Sequence, residues 1–204
     1  MSQADGRGVG LRERKKLAAM HTIQQVALDL FDRDGYGNVT VERIADEAGV
    51  SPSSVYRYFG TKERLVLWDE YDPQLFGLMT EGGGGIGAVL ARLREGISAI
   101  MRAWPDDESD NVARRMRYIL GEADIHAVML REQHQFEVAL RQLIAPHLDE
   151  DPGSLHVRVA AATLLSCLTA ALYHWAESGY SDRLADVLDE AMELANRAIV
   201  AQVS

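Results

Sequence analysis

The sequence predicts an all-α protein, and three observations carry that prediction. Apolar residues recur at three- and four-residue spacing through most of the chain. Gly, Ser and Thr stand at the ends of those stretches, where helices stop and start. Proline is scarce, with 5 in 204 residues, and β-branched runs are short. At 47% hydrophobic residues the chain can bury a sizeable core, so disorder is excluded as the default state.

A first helix is expected from near Arg12 to Asp34, with Ile23, Ala27, Leu30 and Phe31 at i, i+4, i+7 and i+8 on one face. The "GYGN" that follows stops it, Gly35 suiting a left-handed cap. Thr40 N-caps "VERIADEA", a short helix whose Ile44, Ala45 and Ala48 turn inward, and Gly49 ends it. Ser51 caps the next helix, Pro52 takes its first position, and Thr61 caps a fourth that begins "KERLVLW". Two short helices joined by "AGVS" form a helix-turn-helix pattern.

On a helical wheel, Val55 and Phe59 fall within about 40° of each other and point inward. Ser53, Ser54 and Arg57 lie on the opposite side, flanked by Tyr56 and Tyr58. Such a ridge fits a DNA major groove: Arg57 can donate twice to a guanine edge, and serine hydroxyls pair with donors or acceptors. Tyrosine hydroxyls suit phosphate oxygens. A surface helix with two solvated tyrosines is the alternative that the wheel leaves open.

The net charge of −10 is unevenly spread. Residues 1–64 hold ten Arg/Lys and nine Asp/Glu, a sum of +1, against eleven and twenty-two in the remaining 140, a sum of −11. Arg7, Arg12, Arg14, Lys15 and Lys16 crowd the start, facing only Asp5 and Glu13. Asymmetry of this kind suggests two parts with different partners.

The span from Arg12 to Trp68 resembles the DNA-binding domain of the TetR (tetracycline repressor) family of transcriptional regulators. The residues that carry the resemblance are Phe31, Gly35, Thr40, Ile44-Ala45, Ala48-Gly49-Val50, Tyr56, Tyr58-Phe59, Lys62 and Leu65, dense and in order within "ALDLFDRDGYGNVTVERIADEAGVSPSSVYRYFGTKERL". The resemblance implies an N-terminal three-helix helix-turn-helix DNA-binding domain (1–67, with a basic arm over about 1–16) and a C-terminal helical effector-binding and dimerisation domain (68–204). It further implies that Thr40, Tyr56 and Lys62 touch phosphates, and that Ser53, Ser54, Arg57 and Tyr58 lie against base edges or nearby phosphates. Arg43 is a weaker candidate, and the basic arm could add phosphate or minor-groove contacts.

Beyond the fourth helix, "EGGGGIG" reads as a flexible loop over Gly82 to Gly85. It lacks the GK[ST] ending and the preceding strand of a phosphate-binding loop. Helices are expected over about 86–104, 111–121 and 124–147, the last closed by Pro146 and "DEDPG". The stretch from Ser154 is apolar almost all round, which predicts burial on every side. That from Ser181 carries a stripe of Leu184, Val187, Leu188, Ala191, Leu194, Ala195, Ala198 and Ile199. In the family these last two helices (about 154–178 and 182–203) pair with their copies in a homodimer; an intramolecular core is the alternative. A dimer would set two recognition helices one helical turn of DNA apart, roughly 34 Å, on a pseudo-palindromic operator.

The resemblance also implies an effector pocket in this half, for which Met101, Trp104, Met116, Ile119, Phe136, Leu140, Cys167 and Tyr173 are candidates suited to a small apolar molecule. Ordinary core packing is the competing reading of each. The histidines show no metal-site spacing, so neither metal nor cofactor is expected. "RRMR" at 114–117 reads as a solvated face. No signal-peptide core opens the chain, and no apolar run reaches the roughly 20 residues that span a bilayer. With Cys167 as the single cysteine, a cytoplasmic location is expected. The expected function is a ligand-responsive, sequence-specific DNA-binding transcriptional regulator, a repressor released by its effector, and not an enzyme. The alternatives are a helical interaction module that reads no sequence and, last, an enzyme using the C-terminal half, for which no nucleophile–base pair or carboxylate cluster stands out.

Overall fold

Ile23, Ala27, Leu30 and Phe31 are all sealed from solvent, on one face of a helix Leu11–Asp34 (α1). In the computed structural model, residues 11–69, 71–80, 83–105 and 107–203 are described. The chain divides into two compact units, Met1–Glu70 and Tyr71–Ser204.

In the first unit, α1 ends at Gly35, whose φ of 84° an L side chain would resist. A 3₁₀ turn Tyr36–Asn38 leads into α2 (Val41–Glu47), α3 (Pro52–Phe59) and α4 (Lys62–Leu67). Thr40, Ser51 and Thr61 each accept a backbone N–H of the helix they precede, from Arg43, Ser54 and Arg64. Gly49 turns the chain between α2 and α3 at φ 66°, while the Val50 N–H reaches back to the Ala45 carbonyl at 2.9 Å. The core joins α1 to Tyr36, Ile44, Ala45, Val55, Phe59, Leu65 and Val66. Of the expected basic arm over about 1–16, Leu11–Lys16 belongs to α1, and residues 1–10 lie outside the described residues.

The fourth helix stops at Leu67, and a further helix α5 (Asp72–Thr80), which the sequence reading did not separate, follows. The stop is tertiary in origin. The buried Gln24 amide donates to the Leu65 carbonyl at 2.7 Å and the Trp68 carbonyl at 2.9 Å, and Trp68 is extended. Its indole meets the Phe59 ring edge-on at 5.9 Å.

The second unit contains α5, α6 (Ile86–Arg102), α7 (Glu108–Gly121), α8 (Ala123–Leu148), α9 (Leu155–Glu177) and α10 (Leu184–Val203). Its larger core brings Val89 and Leu90 of α6 against Ile144 of α8, Ala161 and Leu164 of α9, and Met192, Ala195 and Ile199 of α10. A smaller core gathers Val112, Met116, Trp175 and Leu184. Pro146 does not close α8; it sits inside the helix, which runs on to a left-handed Asp149.

Within the single chain α9 is not covered on every side: Leu155 (73% exposed), Val159, Ala162, Ser166 and Ala170 form an open stripe. Only one flank of a helix can face α8 and α10 at once, and the other is left uncovered within one chain. Likewise "RRMR" is not a solvated face, because the α7 register turns Met116 and Arg115 (8% exposed) inward with Val112. By length and composition alone α9 would also pass as a membrane span, a test that the core helix of a folded domain meets as well.

Candidate nucleic-acid interface

Helix α3 has only eight residues, too few to persist alone, so tertiary anchors must hold it. Val55 and Phe59 are those anchors, both buried. The opposite face is open: Ser53, Tyr56 (48% exposed) and Arg57 lie in solvent, while Ser54 and Tyr58 are half-buried. Ser51 Oγ lies 2.9 Å from the hydroxyls of both Ser53 and Ser54, and Arg57 donates to Ser54 Oγ at 3.1 Å. The Arg57 guanidinium stands 4.9 Å from the centroid of the Tyr58 ring. The result is one connected polar ridge of donors and acceptors, a chemistry matched to base edges and phosphate oxygens.

Thr40 is exposed, but its hydroxyl is engaged in capping α2. Arg43 is exposed and ion-paired with Asp34 at 2.7 Å. The Asp34 carboxyl is held below its ordinary range, chiefly by the hydrogen bond from Arg33 and also by Arg43. Lys62, at the start of α4, is half-buried. Its ammonium donates to the Tyr36 carbonyl and sits 3.9 Å from the Tyr36 ring centroid and 5.4 Å from that of Phe31. Those attractions draw the cation inward, onto the turn between α1 and α2.

A groove of about 790 Å³ opens beside the ridge, lined by Arg12, Glu13, Lys15 and Lys16 of α1 together with Arg57 and Tyr58 of α3. The sequence reading gave these residues to a basic arm that could add phosphate or minor-groove contacts.

The eight candidate effector residues do not share one lining. Phe136, Leu140 and Cys167 belong to the larger core, while Trp104, Met116, Ile119 and Tyr173 belong to the smaller, and Met101 packs against both. Burial pushes the Cys167 thiol up. The Trp104 indole packs against Tyr71 at 5.8 Å between centroids, and its buried N–H has no hydrogen-bond partner. A separate open groove of about 660 Å³ between α6 and α10 includes Arg94, Asp189 and Asn196. Among the described residues, no cluster of His, Cys, Asp and Glu is arranged to hold a metal.

Residues 23–67 match the family described as bacterial regulatory proteins, tetR family, and residues 88–199 match the MftR C-terminal domain. The chain is 26% identical over 168 residues to MftR, named as a mycofactocin biosynthesis transcriptional regulator of Mycobacterium tuberculosis, covering 79% of this chain and 82% of that one. It is 29% identical over 161 residues to the HTH-type transcriptional regulator TcmR of Streptomyces glaucescens, covering 71% and 68%. Among solved structures, a complex of SmeT with triclosan shares the fold at a TM-score of 0.59 and 16% identity, covering 89% of this chain and 91% of that chain. The second match alone spans more than half of the chain, and the protein belongs to the TetR family of DNA-binding transcriptional regulators.

Proposed function

We propose that this regulator is a homodimeric repressor that reads a pseudo-palindromic operator through α3 and is released by a small, largely apolar effector. The exposed ridge of Ser53, Ser54, Tyr56, Arg57 and Tyr58 on a helix pinned by Val55 and Phe59 carries the DNA part of the reading. Arg57 and the two serines face base edges, Tyr56 and Tyr58 the flanking phosphates. Thr40 and Arg43 lie against the backbone, Arg43 exchanging Asp34 for a phosphate. Lys62 acts first as a clamp on Tyr36 and only secondarily on DNA. The work of such a regulator is done on the chromosome, in the cytoplasm.

The open stripe on α9, continued by Leu194 and Ala198 of α10, supports pairing with a second copy. The effector would enter the junction of the two cores at Met101, among Trp104, Met116, Ile119 and Tyr173, with Phe136, Leu140 and Cys167 behind. An orphan buried N–H costs about 1–3 kcal/mol, so the Trp104 indole favours a ligand with a hydrogen-bond acceptor on an apolar body. SmeT, a protein of this fold, in complex with triclosan supports a small-molecule ligand. An effector that favours the DNA-incompetent conformation by about 3 kcal/mol weakens operator affinity up to about 150-fold.

The experiment is a titration of DNA from upstream of the protein's own gene against a scrambled duplex, with wild type and Arg57→Ala/Tyr58→Ala. Wild type binding the two duplexes differently, and the variant alike, is the expected result. An undiminished preference in the variant removes α3 from the reading, and a chain with no preference on any duplex from a random library is an interaction module.

A further inference from the structure

Small side chains on one flank of α6, Ala91, Ser98 and Ala99, leave an open groove of about 660 Å³ against α10, within the size range of small-molecule sites. Leu90 and Met192, both buried, form its floor. Arg94 braces the two walls: its guanidinium meets both carboxylate oxygens of Asp189 at 2.5 Å and stands 3.7 Å from Glu193. The hydrogen bonds from Arg94 hold the Asp189 carboxyl below its ordinary range, so these charges are already matched.

Three polar groups of the lining are not. Asn196 Oδ1 is sealed from solvent and has no hydrogen-bond partner, a condition that native folds rarely keep without cause. Glu95 is exposed and makes no hydrogen bond or ion pair with any described residue. Arg102 is exposed too, and its partner is the Ser98 hydroxyl at 2.6 Å rather than a carboxylate. The two helices run antiparallel, with Gly87 beside Val200 while Arg94 reaches Asp189. Asn196 therefore stands toward the Gly87 end of the groove, Glu95 near the middle and Arg102 at the far end.

We propose that this groove is a second ligand site, one that takes a short zwitterionic peptide. The peptide ammonium lodges between Asn196 Oδ1 and Glu95, giving the sealed carbonyl its donor and the carboxylate its counter-charge. The peptide carboxylate meets the Arg102 guanidinium, whose fork suits two parallel hydrogen bonds. Glu95 and Arg102 are two turns apart on α6, about 10 Å along its axis, which is roughly the span of three extended residues. Small apolar side chains fit over Leu90 and Met192, the methionine adapting to their shape. The site is separate from the effector region, since none of the eight residues assigned to the effector lines it. It is separate from the proposed seam as well. Leu194 and Ala198 lie roughly 140–180° round α10 from Asp189 and Asn196, so a second copy leaves the groove open.

The test is calorimetric titration of the full chain with trialanine, N-acetyl-trialanine and trialanine amide. Trialanine should bind, and each blocked form about fivefold more weakly, the loss of one charge pair at a partly exposed site. Arg102→Ala should weaken trialanine by a similar factor and leave the amide unchanged, since the amide has no carboxylate to lose. Glu95→Gln should weaken trialanine and leave the acetylated form unchanged. Asn196→Leu should abolish binding, while Asn196→Asp, which keeps an acceptor, should retain it. Thermal melts of each variant establish that the fold persists. Trialanine that does not bind, or three peptides that bind alike, overturns the proposal. A Trp104→Phe variant that loses trialanine overturns it too, because the peptide would then occupy the effector region. Neither DNA nor effector enters the titration, so its outcome stands apart from the α3 and effector readings.

Discussion

Gln24 is the side chain on which the end of the DNA-binding head turns. It is 5% exposed, and its amide joins α1 to two carbonyls that α4 cannot satisfy itself. Gln24→Leu keeps the volume and strands both carbonyls, so the head should lose about 1–3 kcal/mol of stability, read from denaturant unfolding. Glu63 offers a second test, in acid. Burial works to raise its carboxyl above the ordinary value of 4.5, but hydrogen bonds from Thr61, its own N–H and Tyr36 prevail and lower it. A carboxyl depressed in the folded state adds stability that is whole above the unfolded value and vanishes as pH falls through the folded one. Stability of the wild type should therefore drop more steeply below about pH 4.5 than that of Glu63→Gln, as measured by melts across an acid series. Equal slopes would show that Glu63 contributes nothing to the pH dependence.

Ser51 shows how one residue sets a whole element. It caps α3 through the Ser54 N–H at 3.2 Å, and its hydroxyl also holds those of Ser53 and Ser54. Ser51→Ala should cost about 1 kcal/mol of stability. It should also lower affinity for operator more than for scrambled DNA, since the two serines lose their common partner. If both affinities fall equally, Ser51 is a cap and nothing more. This helix was legible in the sequence because its determinants are local: a capping serine, a proline at the first position, and inward residues four apart. The stop of α4 was not, because it depends on Gln24, more than forty residues away in the chain. Nor was the open face of α9. Composition tells that a helix is apolar on all sides, not which side its own chain leaves uncovered. Lys62 was legible only in part: a cation at a helix start suits phosphate, and the fold adds two aromatic rings and a carbonyl within its reach.

At the scale of the whole molecule, the unresolved balance is between a strongly acidic second half and a surface that invites self-association. Residues 65–204 carry a sum of −11, so two copies repel at long range unless they meet along a face without charge. The stripe of Leu155, Val159, Ala162, Ser166 and Ala170 on α9 is such a face, and Leu194 (48% exposed) and Ala198 lie on the helix packed beside it. Small residues there let two helices approach closely, while the leucines and valine supply the apolar area. Val159→Arg/Leu194→Arg places a cation at each edge of the stripe. Both positions are solvent-exposed in the single chain, so the fold should hold, and the melting profile at high dilution checks this. Sedimentation should then show a dimer for the wild type and a monomer for the variant. Affinity for a full palindrome should fall to that for a single half-site, while half-site binding by the head stays as it was, because each recognition helix still carries its own ridge. A variant that remains dimeric would place the seam elsewhere on the second unit, with the groove between α6 and α10 the next surface to charge.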